Sequence, residues 1–293
     1  MTLSPERWAI DISLLLNAAF GPAHFPIKVP FLAKEYSAQK FADDPITLVS
    51  GDSLKNFDGA LYRAPAHKKG WGIIYSSAIR SPGRINFTLA HEFGHYLVHR
   101  HDYPNGIRCG EQDVVRWDSE YGQVEHQANV FAANLLMPLD DFRRQIDAKT
   151  KVDIDMLSNV AERYDVSLIA AILRWLQYTL RRAVLVVSRD GFILWSRASE
   201  AALKTGAFFR TSQGPIEVPS NSLVARRDLL VNGNVGINMP PGTWLREEVR
   251  EMTVFAEQYD FVITLLLLSN DVRYDQFETE GEEDTYDRFV SRG

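Results

Sequence analysis

Residues 91 to 95 read His91-Glu92-Phe93-Gly94-His95, a spacing that brings together most of a hydrolytic metal centre. On a helix, side chains four residues apart lie one above the other on the same face. Two neutral imidazoles placed that way can bind one Zn²⁺ together, at about 2.0–2.1 Å each. Glu92 then stands beside the metal, where its carboxylate can take a proton from zinc-bound water. The plainer alternative is a helix that carries two half-buried histidines. The spacing favours metal-assisted hydrolysis of a peptide.

A catalytic zinc usually has three protein ligands and one open position. After His95 the chain offers His99, His101, Cys109, Glu111, Glu120, Glu125 and His126. His99 continues the same helix face but lies about 12 Å along the axis from His91, too far to share one metal. It reads as a surface residue or one that acts behind a ligand. His101 has the metzincin spacing, but that motif needs glycine at the sharp turn where Val98 stands. Glu125 fits better. It opens a helix that is small at Ala128, Ala132 and Ala133, and Gly94 complements them, so two helix axes can approach closely. Asn129 lies four residues after Glu125 on the same face, placed to orient a ligand. A glutamate at a helix start is otherwise simply solvated; here the small neighbours favour a ligand.

These residues need elements to hold them. Pro5 to Ala19 reads as an amphipathic helix, and Gly21, Pro22, Pro26 and Pro30 lead from it into a loop. Strand-like runs follow at Ile46–Ser50, Ala60–Arg63 and Trp71–Ser76. Ser81 caps a helix with Pro82 at its first position, and that helix runs through the histidines. Pro104-Asn105-Gly106 marks a turn, and Val124 to Leu136 a helix stopped at Pro138. Asp153–Tyr164 and Ser167–Leu180 read as two helices joined at Asp165-Val166. Ala183–Val187 and Phe192–Trp195 form a hairpin around Asp190-Gly191. Leu245–Glu257 reads as helical, with Thr243 as cap, and Phe261–Leu268 as a buried strand. Trp71–Ser76 is a candidate exposed strand on which a substrate could add.

The chain has 293 residues, 45% hydrophobic and 24% charged, which suits a globular protein of two or three units. No apolar run is long enough for a membrane span. The N-terminal residues Pro5, Glu6, Arg7 and Trp8 lack the pattern of a secretory leader. One cysteine excludes an internal disulfide framework and fits a reducing cytoplasm. Of the net charge of −6, the stretch Asp271–Gly293 carries eight acids against three arginines, so the remainder is almost neutral. That end reads as a solvated, mobile tail. The global charge gives no argument for nucleic acid.

The segments Phe87-Thr88-Leu89-Ala90-His91-Glu92-Phe93-Gly94-His95 and Glu125-His126-Gln127-Ala128-Asn129 through Met137-Pro138 resemble the ImmA/IrrE metallopeptidases. The resemblance covers Met1 to about Leu180. It implies a cytoplasmic zinc endopeptidase that cuts a helix-turn-helix repressor and so derepresses stress, mobile-element or defence genes. His91, His95 and Glu125 match that family's zinc ligands and Glu92 its catalytic base. Longer members add a helix-turn-helix-like segment and a GAF-like domain. The implied class is α+β: a zincin-like metallopeptidase domain at 1–150, a helical segment at 151–182, a GAF-like sensor at 183–275 and an acidic tail at 276–293. The helical segment either binds DNA or only packs beneath the protease. A small molecule or single-stranded DNA would be the activator, with Arg226-Arg227 the local feature favouring DNA. Oligomeric state and the repressor's identity are not legible.

Cys109 falls between the two ligand-bearing helices. Arg108-Cys109-Gly110-Glu111-Gln112-Asp113 is similar to the Arg-Cys-Gly-x-x-Asp core of the matrix-metalloprotease cysteine switch, in which a thiolate fills zinc's open position. The expectation is an inhibitory fourth ligand; the alternative is a small buried hydrophobe. A rival for the whole chain is a non-catalytic zinc-containing sensor-regulator that binds DNA or a partner.

Overall fold

The computed structural model describes residues 3–54, 57–65, 67–110, 120–211, 214–227, 233–256 and 260–270. The chain forms two compact units. The first spans Met1–Asp141 with Ala161–Ser167, and the second Phe142–Val160 with the residues from Leu168 onward. The expected tail at 276–293 lies outside the described residues. Among those described, no helix is long and apolar enough to cross a membrane.

In the first unit, helix α1 spans Pro5–Phe20. Ser4 caps it by accepting from the Arg7 N–H at 3.2 Å, and Gly21 ends it at φ +75°. A second helix, α2, spans Val29–Lys40, where a loop was expected. Pro30 is the reason: it sits in the first helical turn, where its missing N–H costs nothing, so it starts a helix rather than preventing one.

A four-stranded mixed sheet follows: β1 (Ile46–Asp52), β2 (Phe57–Arg63), β3 (Trp71–Ser76) and β4 (Gly106–Gly110), in the order β1-β3-β2-β4. Strand β3 pairs with β1 on one side and β2 on the other, so Trp71–Ser76 is not the exposed strand anticipated. Its ladder groups are already used; the edges are β1 and β4. Strand β4 replaces an expected loop. Gly106, at φ +106°, lets the chain turn back against Leu61 and Tyr62, and Ile107 pairs with Leu61.

Helix α3 (Pro82–His99) packs on β2 and β3, with Ser81 capping the Arg84 N–H and Pro82 in the first turn. Leu89, Ala90, Phe93 and Leu97 are buried along it. Helix α4 (Glu120–Leu136) packs against α3 and α1. Two shorter helices follow, α5 (Leu139–Gln145) and α6 (Ile154–Tyr164). Asp165, in the left-handed region at φ 50°, turns the chain towards α7 (Leu168–Leu176).

The second unit holds a six-stranded antiparallel sheet ordered β7-β6-β5-β10-β9-β8. Its strands are β5 (Ala183–Arg189), β6 (Phe192–Ala198), β7 (Ile216–Glu217), β8 (Ile237–Met239), β9 (Val249–Ala256) and β10 (Phe261–Leu268), with a short helix α8 at Glu200–Leu203. Asp190 and Gly191 both take positive φ in the β5–β6 turn. The expected helix over Leu245–Glu257 is instead strand β9. Its eight residues pair one for one with β10, from Phe261↔Ala256 to Leu268↔Val249, and that ladder outweighs local helical spacing. Thr243, expected as a helix cap, lies in the loop before it. Glu251 is buried within β9 and accepts from the Trp244 Nε1–H at 2.7 Å and the Leu223 N–H at 3.0 Å.

Candidate metal centre

Residues 91, 92 and 95 lie on the buried side of α3, which faces both the sheet and α4. Gly94 sets how near α4 can come. A Cβ there would lie 2.9 Å from Phe131 Cδ1 and 3.3 Å from the Ala128 Cα, so any larger residue would force Phe131 or α4 to shift. The second helix begins at Glu120, a turn earlier than expected, which puts Glu125 inside it rather than at its start.

The closeness of the helices brings Glu125 onto the two histidines. Its Oε2 is 3.1 Å from His91 Nε2 and its Oε1 is 3.3 Å from His95 Nε2, and the two Nε2 atoms are 2.9 Å apart. His95 is fully buried, and His91 and Glu125 are exposed by less than a tenth. Among the described residues these three form the one cluster with metal-ligating geometry. Donors about 2.05 Å from a tetrahedral ion lie about 3.3 Å apart, so the observed triangle fits one small cation.

The outer ring nitrogens are held as well. His91 Nδ1 donates to Asn129 Oδ1 at 2.9 Å, which leaves the lone pair on the inward nitrogen. Burial alone would raise the Glu125 pKa, but the two imidazoles beside it hold it well below the usual carboxylate range. Burial and the neighbouring His91 charge push His95 down to about 4, so this imidazole is neutral at pH 7. Burial also lowers His91, yet Glu125 outweighs it and the net shift is upward. A field that favours a proton between these groups favours a metal cation in the same place.

Glu92 is fully buried on the β2 side of α3. Its Oε1 would lie 2.6 Å from a Cβ on Gly59, and the Thr88 methyl would be equally close. Gly59 thus makes room for the carboxylate, a role that sequence reading missed; the one available signal was a glycine inside a strand. His99 is buried rather than on the surface, with Nδ1 3.1 Å from His95 Nδ1. His101 and His126 are exposed and outside the cluster. Cys109 pairs through its backbone with Gly59. Its side chain, like those of Glu111 and Glu120, lies outside the described residues.

Residues 42–176 match the sequence profile of the IrrE N-terminal-like domain, Peptidase_M78. No curated protein matches the chain. Among solved structures, one described as a Mycobacterium tuberculosis transcriptional regulator is similar in fold. Its TM-score is 0.51 at 14% identity, over 90% of this chain and 82% of that one. The profile match spans the buried His-His-Glu triangle and the helices that build it, and residues 42–176 are therefore a domain of the IrrE-like Peptidase_M78 family.

Proposed function

We propose that the chain is a zinc endopeptidase that cleaves a helix-turn-helix transcriptional repressor, with His91, His95 and Glu125 as metal ligands. The observation that carries this is a triangle of three ligand atoms 2.9–3.3 Å apart with a buried carboxylate, Glu92, on the same helix. Zinc held there by His91, His95 and Glu125 would supply Lewis acidity towards the scissile carbonyl and towards water. Glu92 would act as the general base, taking a proton from the attacking water and returning it to the leaving amine. Burial between α3 and β2 keeps its carboxylate from turning away. Asn129 holds His91 in the tautomer that presents Nε2 inward. The substrate segment must be extended to reach such a centre, which favours a loop or linker of the repressor over a packed helix. Among the described strands β4 lies at an edge of its sheet, where an extended segment could add.

Two finer elements belong to this reading. Cys109 serves as an inhibitory fourth ligand, supported by its register opposite Gly59, the residue against which Glu92 rests. The region 183–275 is a GAF-like sensor that relieves inhibition on binding single-stranded DNA or a small molecule, in a cytoplasmic stress or defence response. For DNA, Arg226 and Arg227 are both exposed.

One assay tests all of this: the full zinc-loaded chain is incubated with the repressor encoded beside it, with and without a single-stranded oligonucleotide, and products are read by mass spectrometry. The wild type should cut at one bond, faster with the oligonucleotide. Cys109→Ala should cut without it, and Glu92→Gln should not cut although it retains zinc. A sensor-regulator without catalysis would leave the repressor intact in every arm. Cleavage by Glu92→Gln at the wild-type rate would remove the assigned base.

A further inference from the structure

The outer nitrogen of His95 meets another imidazole: His95 Nδ1 and His99 Nδ1 are 3.1 Å apart. At that separation two N–H groups cannot face each other, so one ring donates the shared hydrogen and the other accepts it. The choice is made one step further out. His99 Nε2 lies 2.9 Å from Gln127 Oε1, on α4. A carbonyl oxygen only accepts, so His99 is protonated on Nε2 and its Nδ1 holds a lone pair. His95 must then donate from Nδ1, which leaves its Nε2 free of hydrogen and aimed at Glu125 Oε1 and His91 Nε2.

We propose that Gln127 and His99 are positioning residues that fix His95 in its metal-binding tautomer, through a relay Gln127–His99–His95 parallel to the direct Asn129–His91 contact. This rests on the reading of His91, His95 and Glu125 as a metal site. The relay also explains why a histidine too far along the helix to be a ligand is nonetheless 4% exposed and inward-facing. Gln127 and Asn129 belong to the same helix as Glu125, so α4 supplies one ligand and the orientation of the other two. Loss of the relay leaves His95 free to place its hydrogen on Nε2, where it competes with the cation. Partners of this outer kind typically contribute about 10–100-fold to metal affinity.

The test combines imidazole ¹⁵N NMR of the metal-free full chain with zinc affinity measured against a chromophoric chelator. His95 should be protonated on Nδ1 and His99 on Nε2 in the wild type. His99→Leu removes the acceptor and should weaken zinc binding by about 10–100-fold. His99→Asn presents an oxygen near the Nδ1 position and should restore affinity to within about threefold of wild type. Gln127 is half-buried, so Gln127→Leu has little folding cost, and it should weaken zinc in the same direction. Full zinc affinity in His99→Leu and Gln127→Leu would overturn the relay, as would equal losses in His99→Leu and His99→Asn. A wild type that binds no zinc would instead overturn the metal site itself, whatever tautomer the spectra report.

Discussion

The Glu92 carboxylate rests against the Cα of Gly59 with a clearance that no side chain could share. Gly59→Ala would put a methyl 2.6 Å from Glu92 Oε1 and from the Thr88 methyl, and one of the two must move. The proposed ligands His91, His95 and Glu125 are not among the atoms nearest that methyl, so zinc affinity should be unchanged. Misplacing a reacting group by about 1 Å costs up to about 100-fold, and repressor cleavage should fall by about 10–100-fold. Matched zinc titrations and cleavage rates check this; an undiminished rate would show that Glu92 has slack the packing does not suggest. At this scale the residues legible in sequence were those with fixed spacing. The His91–His95 interval is set by helix geometry alone, and Glu125 and Asn129 share a helix face. Gly59 comes from a strand far away in sequence, and Gln127 acts only through His99, so neither has a spacing that could mark it.

Helices α3 and α4 approach each other closely at Gly94. Leucine there would meet Phe131 and the Ala128 backbone and push α4 outward, carrying Glu125 away from both imidazoles. Gly94→Leu should lower thermal stability by about 1–3 kcal/mol, as overpacking does, and should weaken zinc binding in parallel. Calorimetry and a chelator competition measure the two; lost stability with full affinity would mean that Glu125 does not depend on this contact. The small residues around Gly94 made this approach visible in the sequence. Other elements were hidden because tertiary pairing decided them. Val249–Ala256 has apolar spacing compatible with a helix, yet β10 supplies a complete antiparallel ladder for it. Pro30 looked like a breaker because its place in the first turn of α2 depends on where the helix begins.

Of the seven histidines, two meet Glu125 in the one cluster of metal-ligating geometry among the described residues. The profile match, 42–176, reaches from before β1 to the end of α7, and the six-stranded sheet follows it. That sheet was legible as a change of texture near Arg182, because β5, β6 and β10 are strongly apolar and turn-bounded. Its role was not legible, because a packed sheet face carries no chemistry of its own. The full chain is proposed to hold one zinc through His91, His95 and Glu125. Equilibrium zinc affinity and stoichiometry of the full chain and four variants test it most directly. One zinc should bind the wild type and His101→Ala equally. His91→Ala, His95→Ala and Glu125→Ala should each lose more than the roughly 10–100-fold expected for an outer partner. Normal binding by Glu125→Ala together with loss in His101→Ala would contradict the account.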